Sequence, residues 1–293
     1  MDNFIVLYNP LAGNGTAQDK MRELESLMQG DRLYFSNMLD IRDYGAFFND
    51  MPDGASIIIC GGDGTLNRFL NDTEDIRPDC DIYYYPSGSG NDFARDIGAE
   101  RGAPPVLINR YIERLPKICV NGKEHRFING IGYGIDGYCC EKGDELRGKG
   151  NGEVNYTAIA IKGLLFHYKP TGATITVDGV EHRFEKVWLA PTMIGRYYGG
   201  GMMPTPEQDR LNGDGAVSVM VYYGSGKLKS LAVFPSIFKG EHIKHSEMVA
   251  VLSGRNITVC FDEPRPLQID GETVPGVREY SVTAWEEKVL QPA

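Results

Sequence analysis

Three apolar runs in the first ninety residues, Phe4–Tyr8, Ile57–Cys60 and Ile82–Tyr85, each give way to a polar loop rich in glycine: Asn9–Gly15, Gly61–Thr65 and Ser87–Asp92. Short, unbroken apolar runs suit strands buried on both faces of a parallel sheet. Helical patterns separate them. One carries Met21, Leu24, Leu27 and Met28 at spacings of three and four, and others are read over Tyr44–Asn49, over Leu66–Asn71 and from Asp92. Strands alternating with helices predict a doubly wound, mostly parallel α/β sheet. The carboxyl ends of such strands share one rim, and ligands bind in the crevice there. Glycine lets a backbone approach a phosphate and present its N–H groups, and the following helix adds a positive N-terminus. Three such loops predict a nucleotide phosphate site. The spacing is neither G-x-x-x-x-G-K-[ST] nor a G-x-G-x-x-G at the first strand.

The texture changes near residue 105. Lys117–Val120 and Lys123–Ile128 flank Asn121-Gly122, and Thr174–Val177 and Val180–Phe184 flank Asp178-Gly179, so both read as hairpins with two-residue turns. Val187–Ala190, Ala216–Tyr223, Asn256–Phe261 and Glu279–Ala284 read as further strands. Val154–His167 is the one helix expected here, with a second at Lys227–Phe238. The expectation is a mainly antiparallel β-sandwich or flattened barrel over residues 116–285, after a nucleotide-binding α/β domain over residues 1–115. The tail, residues 286–293, is taken as free to return to the first domain. No long linker separates the halves, so the nucleotide site is expected in a cleft between them.

The chain has 293 residues, 42% hydrophobic and 24% charged, with a net charge of −10. That composition suits a folded protein of about two domains. The acidic balance disfavours a nucleic-acid partner, which requires a large positive face. No apolar stretch approaches the roughly 20 residues of a spanning helix, and Met1–Tyr8 lacks the form of a secretory signal. The six cysteines form no C-x-x-C pair, which points to reduced thiols and a cytoplasmic location.

Asp63 lies between glycines, where a carboxylate would repel bare phosphate. It makes sense beside a magnesium ion, its waters or a ribose hydroxyl, or as support for a tight turn. Asn91 and Asp92 precede a helix and read equally as N-caps. Leu267–Glu272 looks extended, which would put Asp270 and Glu272 on one face. Asp-Gly recurs at Asp136, Asp178 and Asp214, where plain turns are the ordinary reading.

Taken together, these strings resemble the diacylglycerol kinase catalytic-domain family, in particular its bacterial soluble lipid kinases. The resemblance rests on Asn9-Pro10 with Gly13 and Gly15, Gly61–Asn67, Ser87–Arg95, Gly199–Met202, Asp214-Gly215, Gly240–His245 and Asp270-Gly271-Glu272. Ala12, Ser89 and Arg68 depart from the family's usual residues. The resemblance implies ATP as co-substrate, bound by Asn9, Pro10, Leu11, Ala12, Gly13, Gly62, Asp63, Gly64, Thr65, Leu66, Asn67, Arg68 and Ser89. It implies Glu272 as the base that takes the lipid hydroxyl proton, with Asp63 and Asp92 linking magnesium to the nucleotide. Asp214 and the Leu211 and Ala216 carbonyls would hold that Mg2+. His242 and His245 have the spacing of a metal pair without an evident third ligand. An NAD kinase and a catalytically silent nucleotide-binding regulator remain as alternatives. The lipid is not named by the sequence, and the oligomeric state stays open, a homodimer included. A lipid substrate implies peripheral membrane contact. Lys227–Lys244, with Leu231, Val233, Phe234, Ile237 and Phe238 among lysines, is the first candidate for it, unless it is an ordinary packed helix. Ile159–Lys169 is the second.

Overall fold

The three apolar runs lie as neighbours or near neighbours in one sheet. The computed structural model describes residues 2–10, 17–76, 78–149 and 156–285, without the side chains of residues 17, 157 and 164. The chain divides into two compact units, Met1–Glu113 and Arg114–Ala293.

In the first unit β1 (Asn3–Tyr8), α1 (Ala17–Leu27), β2 (Arg32–Asn37), α2 (Tyr44–Asn49), β3 (Ser56–Gly61), α3 (Asp63–Asp72), β4 (Ile82–Pro86), α4 (Asp92–Ile97), β5 (Val106–Leu107) and α5 (Asn109–Ile112) follow one another. The sheet order is β2-β1-β3-β4-β5. All pairings are parallel except that of β5. Val6, Leu7, Ile57, Ile58, Ile59 and Tyr84 are wholly buried, as their unbroken runs require. Strand β2 was not foreseen. It is an edge strand, only partly covered, with Tyr34 half exposed, so its sequence lacks a continuous apolar run. In α1, Leu24 is buried, whereas Leu27 lies partly in solvent rather than on the core face.

The second unit opens with the expected hairpin β6 (Lys117–Val120) and β7 (Lys123–Arg126), followed by β8 (Gly130–Tyr133). A long helix, α6 (Ile135–Gly148), comes next, then α7 (Tyr156–Lys162) and a π-helical turn over Gly163–His167. The remaining elements are β9 (Thr171–Val177), β10 (Val180–Val187), β11 (Thr192–Met193), β12 (Val217–Tyr222), α8 (Lys227–Val233) with 3-10 turns over Phe234–Lys239 and Glu241–Lys244, β13 (Val249–Gly254), β14 (Asn256–Ile269) and β15 (Glu272–Thr283). Every strand pairing is antiparallel. Among the described residues no helix is long and apolar enough to cross a membrane.

Strand β14 organises this unit. Residues 257–261 pair with β9, and 267–269 pair with β8. The register against β15 breaks between Cys260 and Leu267, where Pro264 and Pro266 cannot donate to a ladder. Tyr133, Phe261 and Tyr280 pack edge to face beneath it, with ring centroids 4.3 and 5.5 Å apart.

Helix α6 is a further helix, ahead of those expected at Val154–His167 and Lys227–Phe238. Its three glycines and the Asp136-Gly137 pair disguised it as a turn. Two of those glycines are packing positions. A Cβ on Gly137 would stand 2.0 Å from the Pro266 carbonyl oxygen, and one on Gly143 would stand 2.7 Å from the Tyr156 ring. The expected strand Val187–Ala190 is also displaced. β10 ends at Val187, Leu189 makes only isolated bridges, and the paired residues are Thr192 and Met193.

Candidate active site

The register Tyr8 to Cys60 to Tyr85 brings the carboxyl ends of β1, β3 and β4 level. From β1 the chain passes through α1 to β2 on one side, while β3 lies on the other. The β1–β3 boundary is therefore the switch point at which such sheets open a crevice. Asn9 and Pro10 leave β1 there, and Gly62, Asp63 and Gly64 leave β3. Leu11, Ala12 and Gly13 lie outside the described residues. Gly62 caps α3 with extended backbone, and Gly64 is exposed with open space where a Cβ would stand. The amino end of a ten-residue helix thus faces an uncluttered glycine loop, an arrangement suited to phosphate.

The loops after β3 and β4 touch through their backbones. A Cβ on Gly88 would come within 2.5 Å of the Gly62 Cα. Asn91, in the left-handed region at φ 52°, accepts the Gly88 N–H at 3.0 Å and donates to the Gly88 carbonyl at 2.8 Å. Its side chain therefore staples the loop and does not cap α4, so the capping alternative for Asn91 falls away. The cap comes from the neighbouring loop. Asp63 accepts the N–H of Asp92 at 2.8 Å and that of Phe93 at 3.1 Å. Asp92 is the first residue of α4 and is nearly fully buried. Burial and the nearby Asp63, Cys60 and Asp92 charges hold the Tyr84 phenol well above its ordinary range, so it stays neutral.

The other rim residues divide by direction. Thr65 and Leu66 turn their side chains into the interior, with Thr65 against Gly61, which leaves only their backbone for a nucleotide. Asn67 accepts from Asn71 along α3. Arg68 is exposed and pairs with Asp72 one turn on, at 3.4 Å. Ser89 is exposed beside Gly90.

In the second unit the extended reading of Leu267–Glu272 fails. Asp270 at φ 45° and Gly271 at φ 98° form the two-residue turn of the β14–β15 hairpin, whose flanking pair is Ile269 and Glu272. Asp270 does not share a face with Glu272. Its carboxylate accepts the N–H groups of Ile128, Asn129 and Gly130 at 2.7, 2.9 and 3.0 Å, tying the turn to the start of β8. Gln268 accepts the Gly271 N–H at 2.6 Å and donates to Asp136 at 2.9 Å. Glu272 stands exposed at the hairpin tip.

The Asp214 loop reaches the same segment. Arg210 donates to the Ile128 carbonyl at 2.7 Å and to Asn129 Oδ1 at 3.3 Å. Leu211 donates its N–H to Asp209 at 2.9 Å, and Asp214 Oδ1 accepts the Ala216 N–H at 3.1 Å. The Ala216 carbonyl accepts from both Gln208 and Asn212, at 2.9 and 2.8 Å. Both its lone pairs are used, so it could ligate a cation only after one amide left. Asn212 Oδ1 is buried without a hydrogen-bond partner. A carboxylate and an orphaned amide oxygen suit a hard cation such as magnesium in kind. His242 and His245 do not form a metal pair. His242 is buried on the Pro204 carbonyl, and burial lowers its pKa, while His245 lies 3.7 Å from Glu247. Among the described residues no cluster of three or more His, Cys, Asp or Glu side chains is assembled.

Comparison with known proteins divides the chain in the same way. The diacylglycerol kinase catalytic domain matches residues 3–117, and the YegS C-terminal NAD kinase beta sandwich-like domain matches residues 129–283. A diacylglycerol kinase of Mycobacterium tuberculosis is 26% identical over 235 residues, covering 75% of this chain and 74% of its own. One from Bacillus subtilis is 29% identical over 224 residues, covering 74% and 70%. The crystal structure of a diacylglycerol kinase from Bacillus anthracis superposes with a TM-score of 0.62 at 20% identity, covering 97% of this chain and 94% of that one, and so shares its fold. The chain belongs to the diacylglycerol kinase catalytic-domain family, in the branch whose second domain is the YegS-type, NAD-kinase-like β-sandwich.

Proposed function

We propose that this protein is an ATP-dependent lipid kinase that phosphorylates a lipid hydroxyl, with diacylglycerol or a related lipid as the acceptor. The observation that carries the reading is the switch-point rim of the first unit, where the Gly62-Asp63-Gly64 loop is knitted to the Gly88–Asp92 loop, within the residues that match the diacylglycerol kinase catalytic domain. ATP phosphates lie against the amino end of α3, with Asn9, Pro10, Gly62, Gly64 and Ser89 around them. Glu272, from the second unit, takes the proton of the lipid hydroxyl. The freed oxygen pair bonds to the γ-phosphorus, the bond from that phosphorus to the bridging oxygen breaks, and ADP leaves with the electrons. A positioned carboxylate contributes about 10²–10⁴-fold to such a step, and positioning and charge neutralisation supply the rest. Magnesium, when bound, neutralises phosphate charge; Asp214 and Asn212 Oδ1 are the residues that would hold it.

Two segments that meet support a membrane contact. Lys227 of α8 donates to the Leu165 carbonyl of the π-helical turn at 2.8 Å. Beside that bond Leu228 is 79% and Phe166 72% exposed. Val233 and Ile237, expected at the interface, are instead core residues packed with Met202 and Met248. The helix is therefore packed on one face, while Leu228 and Phe238 remain outside it. Two large exposed apolar side chains among Lys162, Lys169, Lys227 and Lys239 suit an anionic bilayer surface.

The decisive experiment supplies labelled ATP and magnesium with a panel of lipids in mixed micelles and with NAD. Phosphorylated lipid is the expected product. Phosphorylated NAD alone would establish the second reading, an NAD kinase, which the NAD-kinase-like architecture of the second unit favours. Nucleotide binding without turnover would establish a silent regulator.

A further inference from the structure

Glu272 begins a strand immediately after a turn that is held from outside at both central positions. Asp270 is fixed by three backbone N–H groups. Gly271 is fixed by Gln268, whose Oε1 accepts the Gly271 N–H at 2.6 Å while its Nε2 donates to Asp136 Oδ2 at 2.9 Å. Gln268 is 3% exposed. A primary amide suits this bridge because it presents an acceptor to one partner and a donor to the other without a charge. The neighbouring backbone is cut away to make room. A Cβ on Gly132 would stand 1.6 Å from Asp136 Oδ2 and 2.6 Å from Gln268 Nε2. Gly137 lets the first turn of α6, which carries Asp136, sit directly on the β14 backbone at Pro266.

We propose that Gln268 is a positioning residue for Glu272, linking the first turn of α6 through Asp136 to the turn that presents the carboxylate. The inference rests on the reading of Glu272 as the base. Asp270 and Gly271 both stand at positive φ, which this dipeptide tolerates in a two-residue hairpin turn. Removing the Gln268 bridge leaves Asp270 anchored but frees Gly271, the residue bonded to Glu272. A displacement of about 1 Å at a reacting group can cost 10²-fold in rate. The groups facing Asp136 are Gln268 from β14, the Gly132 backbone from β8, and Cys139 and Cys140 from its own helix, whose thiols burial and the Asp136 charge keep protonated.

The test uses the full chain with Gln268→Leu, Gln268→Glu and Glu272→Gln. Amide exchange needs no substrate. Gln268→Leu should speed exchange at Gly271 by about tenfold or more while the Ile128–Gly130 amides stay protected. With lipid micelles, its kcat should fall about 10–100-fold with KM for ATP within about twofold. Gln268→Glu keeps the acceptor for Gly271 but sets a second carboxylate against Asp136, so the pair must share a proton. Its activity should therefore recover as pH is lowered from about 8 to about 6, where a general base would lose activity. Unchanged Gly271 exchange, unchanged kcat in Gln268→Leu, or a wild-type pH profile in Gln268→Glu overturns the proposal. Should Gln268→Leu not fold, Gln268→Glu carries the test through its pH profile. Wild-type turnover in Glu272→Gln would overturn the base reading itself, a result distinguishable because it does not involve Gln268.

Discussion

Asp63 caps a helix that is not its own: its carboxylate receives the N–H groups of Asp92 and Phe93 at the start of α4. The same side chain that sits in the glycine loop therefore fixes where the buried Asp92 stands. Asp63→Asn keeps one acceptor oxygen and places an NH2 group against an N–H. Its unfolding free energy should fall by about 1 kcal/mol, as for a weakened cap, and turnover should drop by at least about 10²-fold. Thermal melts and kinase assays check the two effects separately. Wild-type turnover would remove Asp63 from the chemistry and leave it as a cap.

Glu272→Gln should abolish lipid phosphorylation, by about 10²–10⁴-fold in kcat, while ATP binding by calorimetry stays within a few-fold of wild type. Glu272 is exposed at the hairpin tip, so stability should hardly change. Equal losses of ATP affinity and turnover would argue for a structural turn.

Magnesium should raise the melting temperature of the wild type, and Asp214→Ala should erase that shift. Combined with Asp63→Asn, the losses in kcat/KM should be non-additive by about 0.5 kcal/mol or more if, as the family resemblance implies, both residues serve one nucleotide–ion network. Strict additivity would count against that network.

Phe166→Ser with Leu228→Ser should weaken co-sedimentation with phosphatidylglycerol vesicles by about tenfold or more, given about 1.5–3 kcal/mol for each large apolar side chain removed from water. Lys227→Glu with Lys239→Glu should weaken it too, and high salt should reduce wild-type binding in the same sense. Lys229 contributes less, because Glu247 answers its charge at 2.8 Å. Unaltered vesicle binding in both double variants would place docking elsewhere.

Burial raises the Asp136 carboxyl from 3.8 to about 6, against the opposing hydrogen bond from Gln268. The folded state thus holds a proton that the unfolded chain releases. For this group, stability is full below about pH 4, falls as pH rises between about 4 and 6, and is level above that. The loss is on the order of 1–3 kcal/mol. Denaturant unfolding at several pH values should show this slope in wild type and a flatter one in Asp136→Asn. Identical slopes would refute the assignment.

Much of this molecule is written locally. Phe4–Tyr8, Ile57–Cys60 and Ile82–Tyr85 are buried strands because an unbroken apolar run is stable only where both faces are covered. Asn121-Gly122 and Asp178-Gly179 are turns because they tolerate positive φ. The glycine loops, their common rim and the split into an α/β half and a β half follow from such short-range rules. What the sequence could not reveal depends on partners distant along the chain. Strand β2 is held by β1 rather than by its own pattern. The glycines of α6 look like breakers until Pro266 and Tyr156 fill the space beside them. Asp63 reads as a ligand or a turn residue until the Asp92 helix is set against it, 29 residues on. Asp136-Gly137 and Asp270-Gly271 are the same dipeptide, yet one starts a helix and the other turns a hairpin. Gln268 joins them across 132 residues. The sequence by itself thus determined which apolar runs are buried strands, which loops are rich in backbone donors and which family they signal, because those properties are local. Only the tertiary structure decided which carboxylate caps, which anchors and which stays exposed, because a carboxylate's role is set by the donors that packing brings to it.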